Sequence, residues 1–221
     1  GIARGWFDQT DVPSWSPTYL GGVPDPTAEC NGVLFPATAA ELETYVQRET
    51  GCALTKVDPS RITMLDGSAA PPAGDVWYFA NQQKLFPSDK HPIVQSYVDV
   101  CLDGCLEIEA MYPLAKQANF AERFIRTTSN WGTPWINDRI YPWRPFVHVP
   151  RAAAIDGLIQ KALGVELFSQ IALRWHRPAE DDPASSGRAS GRSGVHSTLE
   201  RVRFKLKHIL HVEGSSCIQL G

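Results

Sequence analysis

The sequence predicts an α+β protein, and three observations carry the prediction. Short β-type apolar runs recur between residues 33 and 80, one helix with an explicit start signal interrupts them, and helical apolar stripes dominate from residue 92 to residue 163. Strands first and helices afterwards is the order of segregated α+β chains rather than of strict βαβ alternation.

The first thirty residues are rich in Pro, Gly and Trp and predict little regular structure apart from a short strand near the start. Asn31-Gly32 then opens the run Val33-Leu34-Phe35, which Pro36 closes: a short buried strand behind a turn signal. Thr38-Ala39-Ala40-Glu41 fits a capping box, in which the Thr hydroxyl and the Glu carboxylate each satisfy a free backbone N–H. The helix it starts is expected to run to about Thr50, with Gly51 as terminator. Leu42, Tyr45, Val46 and Glu49 fall at i, i+3, i+4 and i+7, the stripe that a helix buries, so Glu49 is expected on the apolar face. Glu41 and Glu43 read as capping or solvated residues.

Two or three strands are expected next, roughly at Cys52–Val57, 61–65 and 76–80, with the Pro/Gly/Ala-rich loop 67–74 between the last two. Pro92 suits the first turn of a long helix with the stripe Val94, Tyr97, Val98, Cys101, Cys105 and Ile108, weakened locally by Gly104. A second helix is expected over 114–128, then an ordered Pro- and Trp-rich loop over 129–149. Pro150 opens a third helix through Ile155, Leu158, Ile159 and Leu163, and a short strand or helix follows through 168–173. These elements make one domain over 1–177. Residues 178–198 form a low-complexity polar linker that buries too little apolar area to offset its ordering entropy. Residues 199–221 form a basic and apolar tail. It reads as an added strand, a surface amphipathic helix or a segment without a docking partner, and is expected to be dispensable for the fold.

The formal net charge of −3 offers no basic excess for nucleic acid, and no apolar run is long enough to span a bilayer. The opening GIARGWFDQTD lacks a signal-peptide pattern. Five irregularly spaced Cys point to reduced thiols and a cytoplasmic setting. Cys101 and Cys105 read as core thiols on one helix face, since no second His or Cys pair completes a metal site. His91, Ser96 and Asp99 lie too close along one segment to converge as a triad, and no G-x-S-x-G is present. Trp131, Trp135, Asp138 and Arg139 have two readings. They wall a pocket in which Arg139 meets a substrate carboxylate bidentately, or the Trp rings pin the loop while Asp138-Arg139 ties its turn.

Several stretches carry a family resemblance: N-G-V-L-F-P (31–36), Arg48-Glu49-Thr50-Gly51 closing a helix, P-I-V-Q-S-Y-V-D-V-C-L-D-G-C-L-E (92–107), F-I-R-T-T-S-N-W (124–131) and W-I-N-D-R (135–139). Over about residues 4–163 the chain resembles the γ-glutamylcyclotransferase-like superfamily, which includes the ChaC-type glutathione-degrading branch. The resemblance implies a small mixed β-barrel flanked by helices. It implies cleavage of a γ-glutamyl amine or peptide, glutathione-like, to 5-oxoproline. Glu49 matches the family's catalytic acid–base. Tyr97 lies in the tyrosine-bearing helix block and, with Arg139, is a candidate substrate-binding residue. Family members also carry an N-terminal strand ending in Tyr-Gly-Ser. That tripeptide does not occur here, and R-G-W-F (4–7) resembles the segment after it, so the first strand is expected to be missing. Val202, Phe204 and Leu206 are then an alternative source of a strand for the open barrel edge. Cys52 stands where many members have Tyr.

The chemistry needs a base that deprotonates the α-ammonium group and an acid that protonates the leaving amine; one carboxyl can do both in turn. A free Glu and an α-amino group differ by about 4 pKa units, about 5 kcal/mol of proton-transfer mismatch, and an apolar setting narrows such a gap. No metal or other cofactor is called for. The expected partner is a small γ-glutamyl substrate, with no nucleic acid and no membrane span. The oligomeric state is not legible. The alternative reading is a non-catalytic binding or interaction domain of the same fold.

Overall fold

The computed structural model describes residues 15–49, 51–82, 85–139, 142, 150–171, 208–213 and 217–220. The first strand, β1 (Leu20–Val23), is followed by β2 (Glu29–Leu34), helix α1 (Ala39–Arg48) and β3 (Cys52–Val57). A 3-10 turn over Pro59–Arg61 leads into β4 (Ile62–Met64) and then β5 (Val76–Asn81). The helical half opens with a short strand, β6 (Ile93–Val94), and continues with α2 (Gln95–Met111), α3 (Pro113–Gln117) and α4 (Phe120–Thr127). Two short strands, β7 (Thr128–Ser129) and β8 (Trp135–Ile136), precede α5 (Ala152–Leu163) and α6 (Val165–Gln170). The tail adds β9 (His208–Glu213) and β10 (Cys217–Leu220). The linker 178–198 and residues Val202, Phe204 and Leu206 lie outside the described residues.

The expected α+β class holds. The strands form a five-stranded sheet in the order β3-β5-β1-β10-β7, a three-stranded sheet β2-β9-β4 and a two-stranded pair β6-β8. Among the described residues no sheet closes into a barrel. The large sheet is mixed: β3–β5 and β1–β10 are antiparallel, whereas β1–β5 and β10–β7 are parallel.

Three apolar clusters hold these layers together. Ile93, Val98, Leu102, Ile125, Trp135, Ile155 and Ile159 form the helical core, each almost wholly buried. Burying a side chain of this size contributes about 1.5–3 kcal/mol. Cys30, Val57, Ile62, Met64 and Val76 form a second cluster among the strands. Cys105, Ile108, Ala115, Phe120 and Ala121 join the helices to Val33 of β2.

The start of α2 differs from expectation. Pro92 does not open it; Ile93 and Val94 instead pair in parallel with Trp135 and Ile136, inside the stretch read as loop. β-Branched residues buried on both sides suit a strand better than a first helical turn. The helix begins at Gln95, directly after this strand, and the Asp138 carboxylate accepts from the Ser96 N–H and from the Ser96 hydroxyl, both at 2.7 Å. The predicted second helix is broken in two by Asn119, which sits in the left-handed region at φ 52°. Past that break the Glu109 carboxylate, from α2, accepts from Ala121 N–H at 2.8 Å and satisfies a free donor at the start of α4.

The tail supplies strands, one of the three forms expected of it: β9 is the middle strand of one sheet and β10 an internal strand of the other. The residues involved lie after the basic stretch, and backbone pairing rather than an amphipathic stripe selects them.

Candidate functional site

Glu49 sits at the corner where α1 turns into β3. Helix α1 forms as its sequence dictates: Thr38 Oγ1 accepts from Glu41 N–H, and Glu41 Oε2 accepts from Thr38 N–H at 2.8 Å. Glu49 is its C-cap, with its N–H on Tyr45 O at 2.9 Å. Gly51 then takes φ 88°, a conformation that favours glycine, and Cys52 N–H returns to Glu49 O at 3.2 Å. Gln82 N–H bonds Gly51 O at 3.3 Å, and the Cys52 thiol donates to Asn81 Oδ1 at 3.2 Å, so the corner is tied to the end of β5. Burial pushes the Cys52 thiol up, and the nearby Glu49 carboxylate adds to the rise.

Asn81 in turn lies against β1. A Cβ on Gly21 would fall 1.8 Å from Asn81 Nδ2, so only glycine leaves room for that carboxamide. Just before Gly21 in the chain, the Tyr19 ring meets Tyr97 of α2 edge-on at 5.3 Å between centroids. Glu49 and Tyr97 are therefore both linked to β1, one through Cys52 and Asn81 and the other through Tyr19.

The setting of Glu49 corrects the sequence expectation in one respect. The stripe is real, since Leu42, Tyr45 and Glu49 are the less exposed positions of α1, but no residue of the helix is buried and Val46 stays exposed. The Glu49 side chain is 38% exposed and pairs with Arg48 at 3.0 Å; Arg48 also lies over the Tyr45 ring. The shielding that the stripe position suggested is therefore only partial among the described residues.

Arg139 has a different neighbourhood. Its Nε and Nη2 donate to the two oxygens of Asp99, both at 2.8 Å, and its Nη1 and Nη2 donate to Asp156 at 2.8 and 2.7 Å. Asp99 is fully buried and also accepts from Gln95 Nε2 at 2.8 Å. Asp99 first, and Asp156 after it, hold the guanidinium charged far above the ordinary arginine range. Four of the five guanidinium N–H donors are thus committed to carboxylates of the same chain. The pinning reading of this segment fits better than the pocket reading: Asp138 holds the start of α2, Arg139 joins α2 to α5, and Trp131 stacks on the buried Trp135 at 5.2 Å.

The Asp99–Arg139–Asp156 network was not foreseen, although Gln95 and Asp99 stand one turn apart on α2 and signal it in part. The rejected triad stays dispersed: Ser96 serves Asp138, Asp99 serves Gln95 and Arg139, and His91 Nδ1 meets Ser16 Oγ at 2.8 Å. Among the described residues no group of three or more His, Cys, Asp or Glu is arranged to hold a metal ion. None of the described helices is long and apolar enough to cross a membrane. Compared with models of known protein families, with curated proteins and with solved structures, the chain finds no match.

Proposed function

We propose that the chain performs γ-glutamylcyclotransferase-type chemistry, with Glu49 as the acid–base group and a glutathione-like γ-glutamyl compound as substrate. The observation that carries the reading is the corner itself. The Arg48-Glu49-Thr50-Gly51 series places a solvent-reachable carboxylate between a capped helix and β3, beside the Gly21–Asn81 contact. The family's fold is a small mixed barrel with helices around it, and the mixed five-stranded sheet is compatible with that architecture.

In the reaction Glu49 takes a proton from the substrate α-ammonium group, and the freed amine attacks the γ-carbonyl carbon. The new C–N bond closes the five-membered ring, Glu49 returns its proton to the departing nitrogen as the old γ-amide C–N bond breaks, and the ring nitrogen's remaining extra proton passes to the released amine, which leaves as an ammonium ion. The Arg48–Glu49 pair does not forbid this. An ion pair between exposed side chains is worth about 0–1 kcal/mol, so an incoming ammonium group can displace Arg48. Tyr97, whose ring meets Tyr19 just before β1, is the candidate for substrate contact. Arg139 is held as a brace rather than offered as a fork.

A second reading is favoured by that same ion pair and by the open face of α1: a non-catalytic domain of the same fold, in which Glu49 is a surface residue. Release of 5-oxoproline from a panel of γ-glutamyl amines and peptides separates the two. Catalysis predicts turnover that Glu49→Gln lowers about a hundredfold or more with an unchanged melting profile. No turnover across the panel, or turnover that Glu49→Gln leaves intact, removes Glu49 from the role.

A further inference from the structure

The two tail strands are the last elements of the chain, yet each lies between strands formed much earlier. Every residue of β9 from His208 to Glu213 has a partner in β2, and Leu210, His211 and Val212 also face β4. Every residue of β10 from Cys217 to Leu220 has a partner in β1, and Ile218 and Gln219 also face β7. Without the tail, four strands would each present a row of unpaired N–H and C=O groups, an edge that readily accepts another strand. The recognition is main-chain pairing, which any copy of the tail satisfies equally.

The connection does not dictate which copy delivers it. Residues 172–207 join α6 to β9, and their central part, PAEDDPASSGRASGRSG, carries no apolar stripe that would hold it to the body. A connection of this length reaches at most on the order of 100 Å. A neighbouring molecule's body is therefore within range.

We propose that β9 and β10 form a donor strand pair that exchanges between two copies of this chain, each tail filling the β2/β4 and β1/β7 positions of the other. The exchange is reciprocal and closes on itself as a two-fold dimer. A linker of this length holds its own tail at an effective concentration on the order of 1 mM. The chain is accordingly monomeric when dilute, and exchanged dimers accumulate as the total concentration approaches that value.

The register supplies the assay. Val23 of β1 lies directly opposite Cys217 of β10. Opposed Cα atoms in an antiparallel pair lie about 4.5–5.5 Å apart, within disulfide reach. Full-length Val23→Cys is unfolded, refolded at about 1 µM and at about 1 mM, oxidised in a thiol–disulfide buffer, and run on non-reducing gels. Cys217→Ser in the same background shows which bridges depend on the tail, and sedimentation of the unsubstituted chain over the same range reports dimers without a bridge. The expected result is a bridged monomer in the dilute sample, with a Cys217-dependent bridged dimer rising to a comparable share in the concentrated one. A bridge that stays within one chain at both concentrations, with the unsubstituted chain monomeric throughout, overturns the exchange. Absence of any Cys217-dependent bridge overturns the placement of the tail beside β1, and the proposal with it.

Discussion

Replacing Arg139 by Met separates a structural brace from a substrate ligand. Asp99 is fully buried, and Arg139 supplies two of its three described hydrogen bonds, with Gln95 the third. Methionine fills part of the volume and removes the charge, leaving a desolvated carboxylate with only an amide donor. Breaking a buried ion pair by removing one partner costs about 3–5 kcal/mol. The lower end applies here, about 3 kcal/mol, because Arg139 keeps 22% of its side-chain surface exposed and water reaches part of the pair. At about 2–4 °C per kcal/mol for a chain of this size, the thermal midpoint should fall by about 6–12 °C. Urea denaturation followed by circular dichroism measures the free energy directly. The second arm is Arg139→Met with Asp99→Leu, which removes both charges and should recover most of the loss. A single variant within about 1 kcal/mol of the parent, or a double variant no better than the single, would refute the brace. A stable variant with a raised KM would restore Arg139 to substrate binding.

Three further outcomes follow from other contacts. Thr38→Ala removes the capping box of α1, a loss of about 1 kcal/mol; because no residue of that helix is buried, it should appear as faster amide exchange over 39–48 with little change in the global midpoint. The Thr38 backbone N–H, and then its hydroxyl, hold Glu41 below the ordinary carboxylate value of 4.5, so the protection it gives α1 is present above that pH and is lost as the pH falls through the lowered value, which exchange measured down a pH series reports. Gly21→Ala must push the Asn81 carboxamide aside; its cost should shrink by about 0.5 kcal/mol or more in an Asn81→Ala background, and strict additivity in a double-mutant cycle would refute the contact. Truncation after residue 207 takes the shared neighbour from β2 and β4 and from β1 and β7, so aggregation or a midpoint lower by at least about 5 °C is expected.

What the sequence disclosed depended on the distance over which each feature is decided. The capping box at Thr38 and Glu41, the Gly51 turn and the span of β3 are fixed by residues a few positions apart, and they stand as read. The start of α2 was misplaced because Ile93 and Val94 find Trp135 and Ile136, far along the chain, and that pairing outweighs the preference of Pro92 for a first turn. The form of the tail stayed open for the same reason: a strand selected by backbone pairing leaves no stripe to recognise. At the candidate site, the period of α1 correctly put Glu49 in line with Leu42 and Tyr45. Period says which face is apolar, not how completely another element covers it, and no residue of α1 is buried. Arg139 was legible as a bidentate partner, but its carboxylates belong to α2 and α5 instead of a ligand.

Among the described helices, α2 and α4 have first-turn amides that donate to carboxylates outside their own sequence. Asp138 serves the opening turn of α2 across more than forty positions, and Glu109 serves that of α4 from the end of the preceding long helix. A helix closed by its own Ser or Thr can nucleate alone; one closed from elsewhere is conditional. Until α2 has wound far enough to present Glu109, the chain after the left-handed Asn119 lacks the acceptor that fixes where α4 starts, and α2 itself gains Asp138 only when the β8 segment docks. Assembly of this half is thus a mutual commitment: α2, α4 and the Trp135 strand should gain protection together during refolding, as one kinetic event, while α1, which carries its own cap, is free to form before or after them.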